Sequence, residues 1–196
     1  MTATPTEHES KALHRKYATS EEAYNRIFTH CLIVWDIAQL LIEDMQLDID
    51  VELVKAGCLL HDIGAYSLFH DGRFDEGAYI THGIVGYELL KKEGYDERLC
   101  RMASHHTGVG LSKTDIEQQG LPLPDEDFLA ETIEEELVMY ADKFHSKYPR
   151  FNSYEGYKKT VSKFGDDKVR RLEELASLFG VPDLKSLADR YDQPLV

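Results

Sequence analysis

Leu59-Leu60-His61-Asp62-Ile63-Gly64 is the stretch on which the fold and the chemistry of this chain turn. It sets an imidazole beside a carboxylate at the end of an apolar helical run. Such a pair holds one cation together, or the Asp bridges two. Val54, Gly57 and His61 share one face of that helix, three and four residues apart. Asp48 or Asp50 is placed to cap the helix, predicted over 51–63. Gly64 is expected to end it by accepting a left-handed conformation.

Upstream, Ser20 caps a predicted helix reaching about Met45. Its apolar stripe is Ala23, Ile27, Val34, Ile37 and Leu41, and His30 lies inside it. Residues 1–18 read as a polar tail or a loose first helix, with Ala12 and Leu13 able to dock. Residues 19–196 read as a single domain, with a metal core over about 25–145 and covering helices over about 153–190.

Downstream, residues 65–80 form a loop rich in Gly and aromatics, a length that is more often functional than idle. Thr81 is read as the cap of a helix over 82–93, closed by Gly94, with His82 in line with Val85 and Leu89. Asp96 caps a helix over 97–106. Leu99, Met102 and His106 fall on one line there, whereas His105 is rotated by about 100°. This favours His106 as a ligand, and leaves His105 as a further ligand, a partner to one or a substrate contact. A second loop follows, with Gly108, Gly110, Pro122 and Pro124. Thr132 then opens the helix that carries Asp142, and three more helices are predicted at 153–164, 166–179 and 183–190. No stretch alternates as a strand does. The fold class is all-α: a compact domain of about eight helices meeting at angles, with an interhelical metal site.

The formal net charge is -14, from 36 acidic and 22 basic residues, which disfavours long nucleic acid or an anionic membrane as partner. A small anionic substrate remains compatible, because a metal and a few local cations reverse the sign in a pocket. Cys31, Cys58 and Cys100 are scattered in apolar helical patterns without a C-x-x-C spacing, so they read as reduced and buried, and the setting as cytoplasmic. No signal-like N-terminus and no apolar run near 18 residues is seen.

Taken singly, each inward His or Asp is an ordinary core residue. Together they are not, since each unpartnered buried polar group costs on the order of 1–3 kcal/mol and one cation satisfies several at once. Imidazole and carboxylate donors suit iron, manganese or zinc, and magnesium less well.

This ordered set resembles the HD-domain metal-dependent phosphohydrolases of the HDIG type, whose pattern is a His, a His-Asp and a distal Asp. Here His30, His61, Asp62 and Asp142 match it, and His82 and His105-His106 match the extra residues of the two-metal subgroup. A closer likeness is to small stand-alone, uncharacterised HDIG proteins. It rests on His106-Thr107-Gly108-Val109-Gly110-Leu111, Gly120-Leu121-Pro122 and Tyr140-Ala141-Asp142-Lys143. The resemblance implies a first metal on His30, His61, Asp62 and Asp142. It implies a second, bridged by Asp62 and held by His82 and His106, with His105 as an added ligand. Thr107 stands where the cyclic-di-GMP phosphodiesterases have a Glu and a Gly-Tyr-Pro run, which argues against that substrate.

Two ions about 3.5–4 Å apart would turn a bridging water into a hydroxide that attacks phosphorus in line. The expected cofactor is therefore a divalent metal, two ions, iron or manganese first and zinc or magnesium after. Asp62 and Lys143 are the expected catalytic residues. Lys143, Arg73, Lys113 and Thr107 are the expected substrate contacts, with Arg101 a weaker one. Tyr66, Phe69, His70, Phe74 and Tyr79 offer stacking surfaces for a base. The expected partner is a small phosphorylated molecule, a nucleotide first, and the C-terminal helices either cover the core or form a homodimer face. Two other readings stand beside hydrolysis: a di-iron oxygenase on the same scaffold, and a non-catalytic nucleotide- or metal-sensing module.

Overall fold

The long helix α2 (Glu21–Met45) is the element on which the others assemble. Extended Ser20 accepts a hydrogen bond from the Ala23 N–H to start it, and left-handed Gln46 closes it. Ala23, Ile27, His30, Val34, Ile37 and Leu41 are all buried along one stripe. The computed structural model describes residues 4–70 and 73–196, with the side chains of His70 and Arg73 outside the description. Helix α1 (Glu7–Tyr17) precedes α2 and is started by a reciprocal capping box between Thr6 and Glu9. Helix α3 (Val51–Leu60), capped by Asp50, packs on α2.

His14 ties α1 to the end of α3 and the turn that follows it. Its ring is fully buried, with Nε2 2.6 Å from the Leu59 carbonyl oxygen and Nδ1 2.7 Å from the Tyr66 hydroxyl. The carbonyl only accepts, so Nε2 carries the proton and Nδ1 accepts from Tyr66. Burial pushes the His14 pKa down from 6.5 to about 4 against the helping carbonyl bond, a differential of roughly 3 kcal/mol. The unfolded chain takes up this proton near pH 6.5 and the folded one only near 4. The stabilisation is therefore complete above pH 6.5 and is lost as the pH falls from there to about 4. Urea unfolding of wild type and His14→Gln at pH 7.5 and 4.5 checks this. The wild type is expected to lose about 2–3 kcal/mol more than the variant; parallel losses would show that His14 titrates normally.

Gly64 does not end α3 as expected. It has no positive φ, and α3 runs instead through His61 into a 3-10 turn, Ile63–Leu68. Its lack of a side chain is required by close packing: a Cβ there would lie 2.1 Å from the His82 carbonyl oxygen and 2.4 Å from the Gly86 nitrogen. Both atoms belong to α4 (His82–Lys92), which lies against the 3-10 turn and against α5 (Glu97–Ser104). Thr81 takes the N-cap position of α4 as expected, but its side chain makes no capping bond. Its hydroxyl donates to the Ala78 carbonyl, within a separate 3-10 turn, Tyr79–Thr81.

The loop over 65–80 contains a two-residue hairpin, β1 (Phe69–His70) with β2 (Arg73–Phe74). Tyr66 and Phe69 are buried and serve as core rather than as an open stacking surface. Helix α6 (Lys113–Gln119) and α7 (Ile133–Asp142) follow, the latter capped by Thr132 and packed on α2 and α3. A second hairpin, β3 (His145–Ser146) with β4 (Arg150–Phe151), comes directly after α7. Both hairpins are too short for a period-two pattern to register in sequence.

Three helices complete the chain: α8 (Tyr154–Val161), α9 (Asp166–Phe179) and α10 (Lys185–Tyr191). Leu172, Leu175 and Phe179 of α9 enter the main core, so this stripe covers the domain rather than facing outward. The last residues return to β4: the Phe151 N–H donates to the Pro194 carbonyl and the Val196 N–H to the Phe151 carbonyl. The described residues thus form ten α-helices and two hairpins. Cys31, Cys58 and Cys100 are buried free thiols. Among the described residues, no helix is long and apolar enough to cross a membrane.

Candidate metal centre

Five elements deliver one polar cluster into this apolar interior. His30 comes from the middle of α2, His61 and Asp62 from the end of α3, His82 from the first turn of α4, His106 from just beyond α5, and Asp142 from the last turn of α7. The four rings and Asp62 are almost wholly buried. Asp62 divides the set. Its Oδ2 faces His30 Nε2 at 3.2 Å and His61 Nε2 at 3.6 Å, and both nitrogens also face Asp142 Oδ1, at 3.0 and 3.5 Å. Its Oδ1 faces the other way, to His82 Nε2 at 3.1 Å and His106 Nε2 at 3.5 Å.

The tautomers follow from the backbone. His61 Nδ1 donates to the Cys58 carbonyl, His82 Nδ1 to the Tyr79 carbonyl and His106 Nδ1 to the Met102 carbonyl, at 2.8, 2.5 and 3.2 Å. Carbonyls only accept, so in each ring Nε2 is left with a bare lone pair. These lone pairs point inward, with His82 and His106 Nε2 2.9 Å apart and His61 and His30 Nε2 3.3 Å apart. A cation between them turns that repulsion into attraction. Donors about 2.0–2.2 Å from a shared ion stand roughly 3.0–3.6 Å apart, which matches the spacings on each side of Asp62.

Asp62 itself supplies the test of fit. Both its oxygens are buried without a well-directed hydrogen bond, although Lys147 Nζ is 2.5 Å from Oδ2. Such oxygens are costly unless a cation takes them. Burial works against the charged form of Asp62, but Lys147 and the His61 ring outweigh it and hold the carboxyl well below the carboxylate range. Burial likewise opposes the charge on Asp142, and Lys143 with the two rings of His30 and His61 overcomes it. Burial pushes His106 down to about 3, against the pull of the nearby Asp62 carboxylate, so it stays a neutral donor. The residues present therefore fit divalent metal, with candidate groups at His30–His61–Asp62, His61–His106–Asp142 and Asp62–His82–His106.

The family model of the HD domain matches residues 27–147, a stretch that holds every one of these donors. This chain belongs to the HD domain family. It has the fold and the intact His/Asp cluster of the HD-domain metal-dependent phosphohydrolases. Among related chains, an uncharacterised protein of Methanocaldococcus jannaschii is 40% identical over 119 residues, 59% of this chain and 64% of that one. Two proteins named tRNA (cytidine(56)-2'-O)-methyltransferase also match. The one from Picrophilus torridus is 34% identical over 82% of this chain and 45% of its own length. The one from Thermoplasma volcanium is 32% identical over 72% and 33%. The chain thus spans between a third and two thirds of the length of these relatives. Among solved structures, the HD domain of the L. monocytogenes phosphodiesterase PgpH, in complex with cyclic-di-AMP, superposes with a TM-score of 0.55 at 14% identity. The match covers 94% of this chain and 97% of that one, and shares the fold.

Seen on this HD domain, the residues expected to touch substrate separate. Lys143 is buried at the site, its ammonium donating to the His106 carbonyl and to Asp142 Oδ2, both at 2.8 Å. His105 is not among the clustered donors; its Nδ1 lies 2.6 Å from the Ser104 hydroxyl and its ring tilts onto Phe128. Lys113 is exposed and paired with Asp125, and Arg101 is engaged by Glu135. Thr107 lines a separate apolar cavity of about 140 Å³ beside Val109 and Leu121. The side chain of Arg73 lies outside the described residues.

Three residues that the sequence reading passed over surround the donors. Lys147 is buried, ion-paired with Asp62 and donating to the Tyr79 hydroxyl. Burial opposes its charge, yet Asp62, Tyr79 and Asp142 keep it firmly protonated. His145 packs its ring on His30, centroids 5.1 Å apart. Arg26 lies over the rings of Phe74 and Tyr148 and has one buried guanidinium nitrogen without a partner. Arg26, Tyr79, Asp142, Lys143, Lys147 and Arg150 line a cavity of about 380 Å³ that opens the cluster to solvent. No helical pattern marks Lys147 in the sequence, because α7 ends at Asp142 and Lys147 follows β3 in the hairpin beyond it.

Proposed function

We propose that this protein hydrolyses a phosphoester or phosphoanhydride bond in a small nucleotide, using two divalent ions. The observation that carries the reading is the division of donors by Asp62, with two rings, themselves facing Asp142, against Oδ2 and two other rings against Oδ1. His30, His61, Asp62 and Asp142 would hold the first ion, and Asp62, His82 and His106 the second. Bound there, the ions would supply Lewis acidity and a water activated at neutral pH. The donor chemistry favours iron or manganese, with zinc next.

The protein's own groups do the rest. The carbonyls behind His61, His82 and His106 fix those rings, so no reorganisation is needed at the moment of reaction. Lys147, Lys143 and the unpartnered nitrogen of Arg26 present positive charge to the cavity, where a phosphoryl group would sit beside the donors. In this acidic chain that local concentration of cations supports an anionic substrate. Phe74, Tyr79, Tyr148 and Tyr157 line the same cavity and supply flat faces for a base. The cyclic-di-AMP held by the PgpH HD domain supports a nucleotide as the class. Buried free thiols support a reducing, cytoplasmic setting.

The test is an anaerobic screen of the metal-loaded protein against nucleotides and generic phosphoesters. Phosphate or nucleotide release is expected, and Lys147→Met is expected to lower kcat on the order of 100-fold with metal content unchanged. Iron-dependent oxygen uptake without any phosphoester cleavage would move the protein to the oxygenase class. Tight nucleotide binding with no turnover would make it a sensor.

A further inference from the structure

Three of the four clustered imidazoles have their tautomer set by a backbone carbonyl, and His30 does not. Its Nδ1 meets another imidazole nitrogen, His145 Nδ1, at 2.8 Å. Only one proton fits between the two. If His145 donates it, the remaining proton of a neutral His30 sits on Nε2. That nitrogen lies 3.0 Å from Asp142 Oδ1 and 3.2 Å from Asp62 Oδ2, so it would then aim a proton where a cation belongs.

The other side of His145 decides the matter. Its Nε2 lies 2.8 Å from Gln193 Oε1, an amide oxygen that can only accept. His145 therefore carries its proton on Nε2 and offers a lone pair at Nδ1. His30 donates its Nδ1 proton into that lone pair, and its own Nε2 is left bare, like the other three rings. An amide turned the other way would reverse every bond in the chain and leave His30 unable to bind a cation.

We infer that Gln193 and His145 are positioning residues of the metal centre, a side-chain relay that sets His30 in its metal-binding tautomer. The inference rests on the metal-centre reading above. The fold holds the far end of the relay firmly. Gln193 follows left-handed Asp192 at the end of α10, and its N–H donates to the Ala188 carbonyl. The next residues are hydrogen-bonded to Phe151 on β4, and the Phe151 ring packs edge-on against His145 with centroids 5.0 Å apart. A tail segment far from the cluster in sequence thus becomes part of the cluster's support.

Manganese titration of the metal-free protein by calorimetry tests the relay. Gln193→Leu removes the acceptor, Gln193→Glu keeps an acceptor at the same reach, and His145→Phe keeps the ring stacking but not the relay. Wild type is expected to bind two ions. Leu and Phe are expected to weaken one of them about 10–100-fold while the other is retained, and Glu is expected to restore it. Nitrogen-15 spectra of the zinc-loaded protein should show the proton of His145 on Nε2. Wild-type affinity in Gln193→Leu, or equal losses in the Leu and Glu variants, would overturn the relay while leaving the metal centre standing. A wild type that binds no ion would bring down the centre, and the relay with it.

Discussion

Asp62→Ala is expected to reduce phosphoester turnover by on the order of 1,000-fold or more, and to drop the bound metal below one ion per chain. Asp62 faces both halves of the cluster, through Oδ2 to His30 and His61 and through Oδ1 to His82 and His106. Its loss leaves the second side with two neutral rings and no carboxylate. It also leaves Lys147 buried beside neutral imidazoles, where its charge repels a cation instead of being balanced. The secondary structure should persist, because the surrounding core of α2, α3 and α7 is apolar and does not depend on this side chain. Elemental analysis beside a phosphate assay, with circular dichroism as the control, reads all three quantities. Full turnover in a folded variant would sink the bridging role.

Gly64→Ala is expected to destabilise the fold by about 3 kcal/mol or more and to cost the second ion selectively. The atoms a Cβ would strike are backbone, the His82 carbonyl and Gly86 nitrogen and Cα, so no side chain can swing aside. Helix α4 must move as a body. It is held on its far side as well, because Gly83 and Gly86 bring it against Ala103 of α5. The displaced residue is His82, whose Nε2 stands 3.1 Å from Asp62 Oδ1. The first half, on α2, α3 and α7, is not touched by the substitution. Urea unfolding and manganese titration separate the two effects. An unchanged midpoint with two ions retained would show that α4 yields without cost.

Much of the candidate site was legible along the chain because its donors are local features of helices. The stripe of α2 placed His30 inward, and the phase of Leu99 and Met102 favoured His106 over His105, although α5 ends at Ser104, two residues before it. The order of His30, His61-Asp62, His82, His106 and Asp142 carried the family resemblance, and with it the helical fold. Gly64 shows where local reasoning went astray: a glycine after a helix suggests a left-handed end, whereas here the cause is a helix arriving from elsewhere in the chain. Lys113 shows the same limit. Its charge was visible, and its distance from the donors was not.

Which residues turn inward is a local matter, since repeats of three and four residues are set by the helix alone. What those residues face depends on how the helices pack. The split of Asp62 between two pairs of rings needs four helices to meet, and the bond from His145 to His30 spans 115 residues. Lys147 reaches Asp62 because a hairpin too short to leave a pattern turns the chain back after α7. Hydrogen-bond direction, tautomer and charge balance are set by contacts between distant segments, and no local periodicity encodes them.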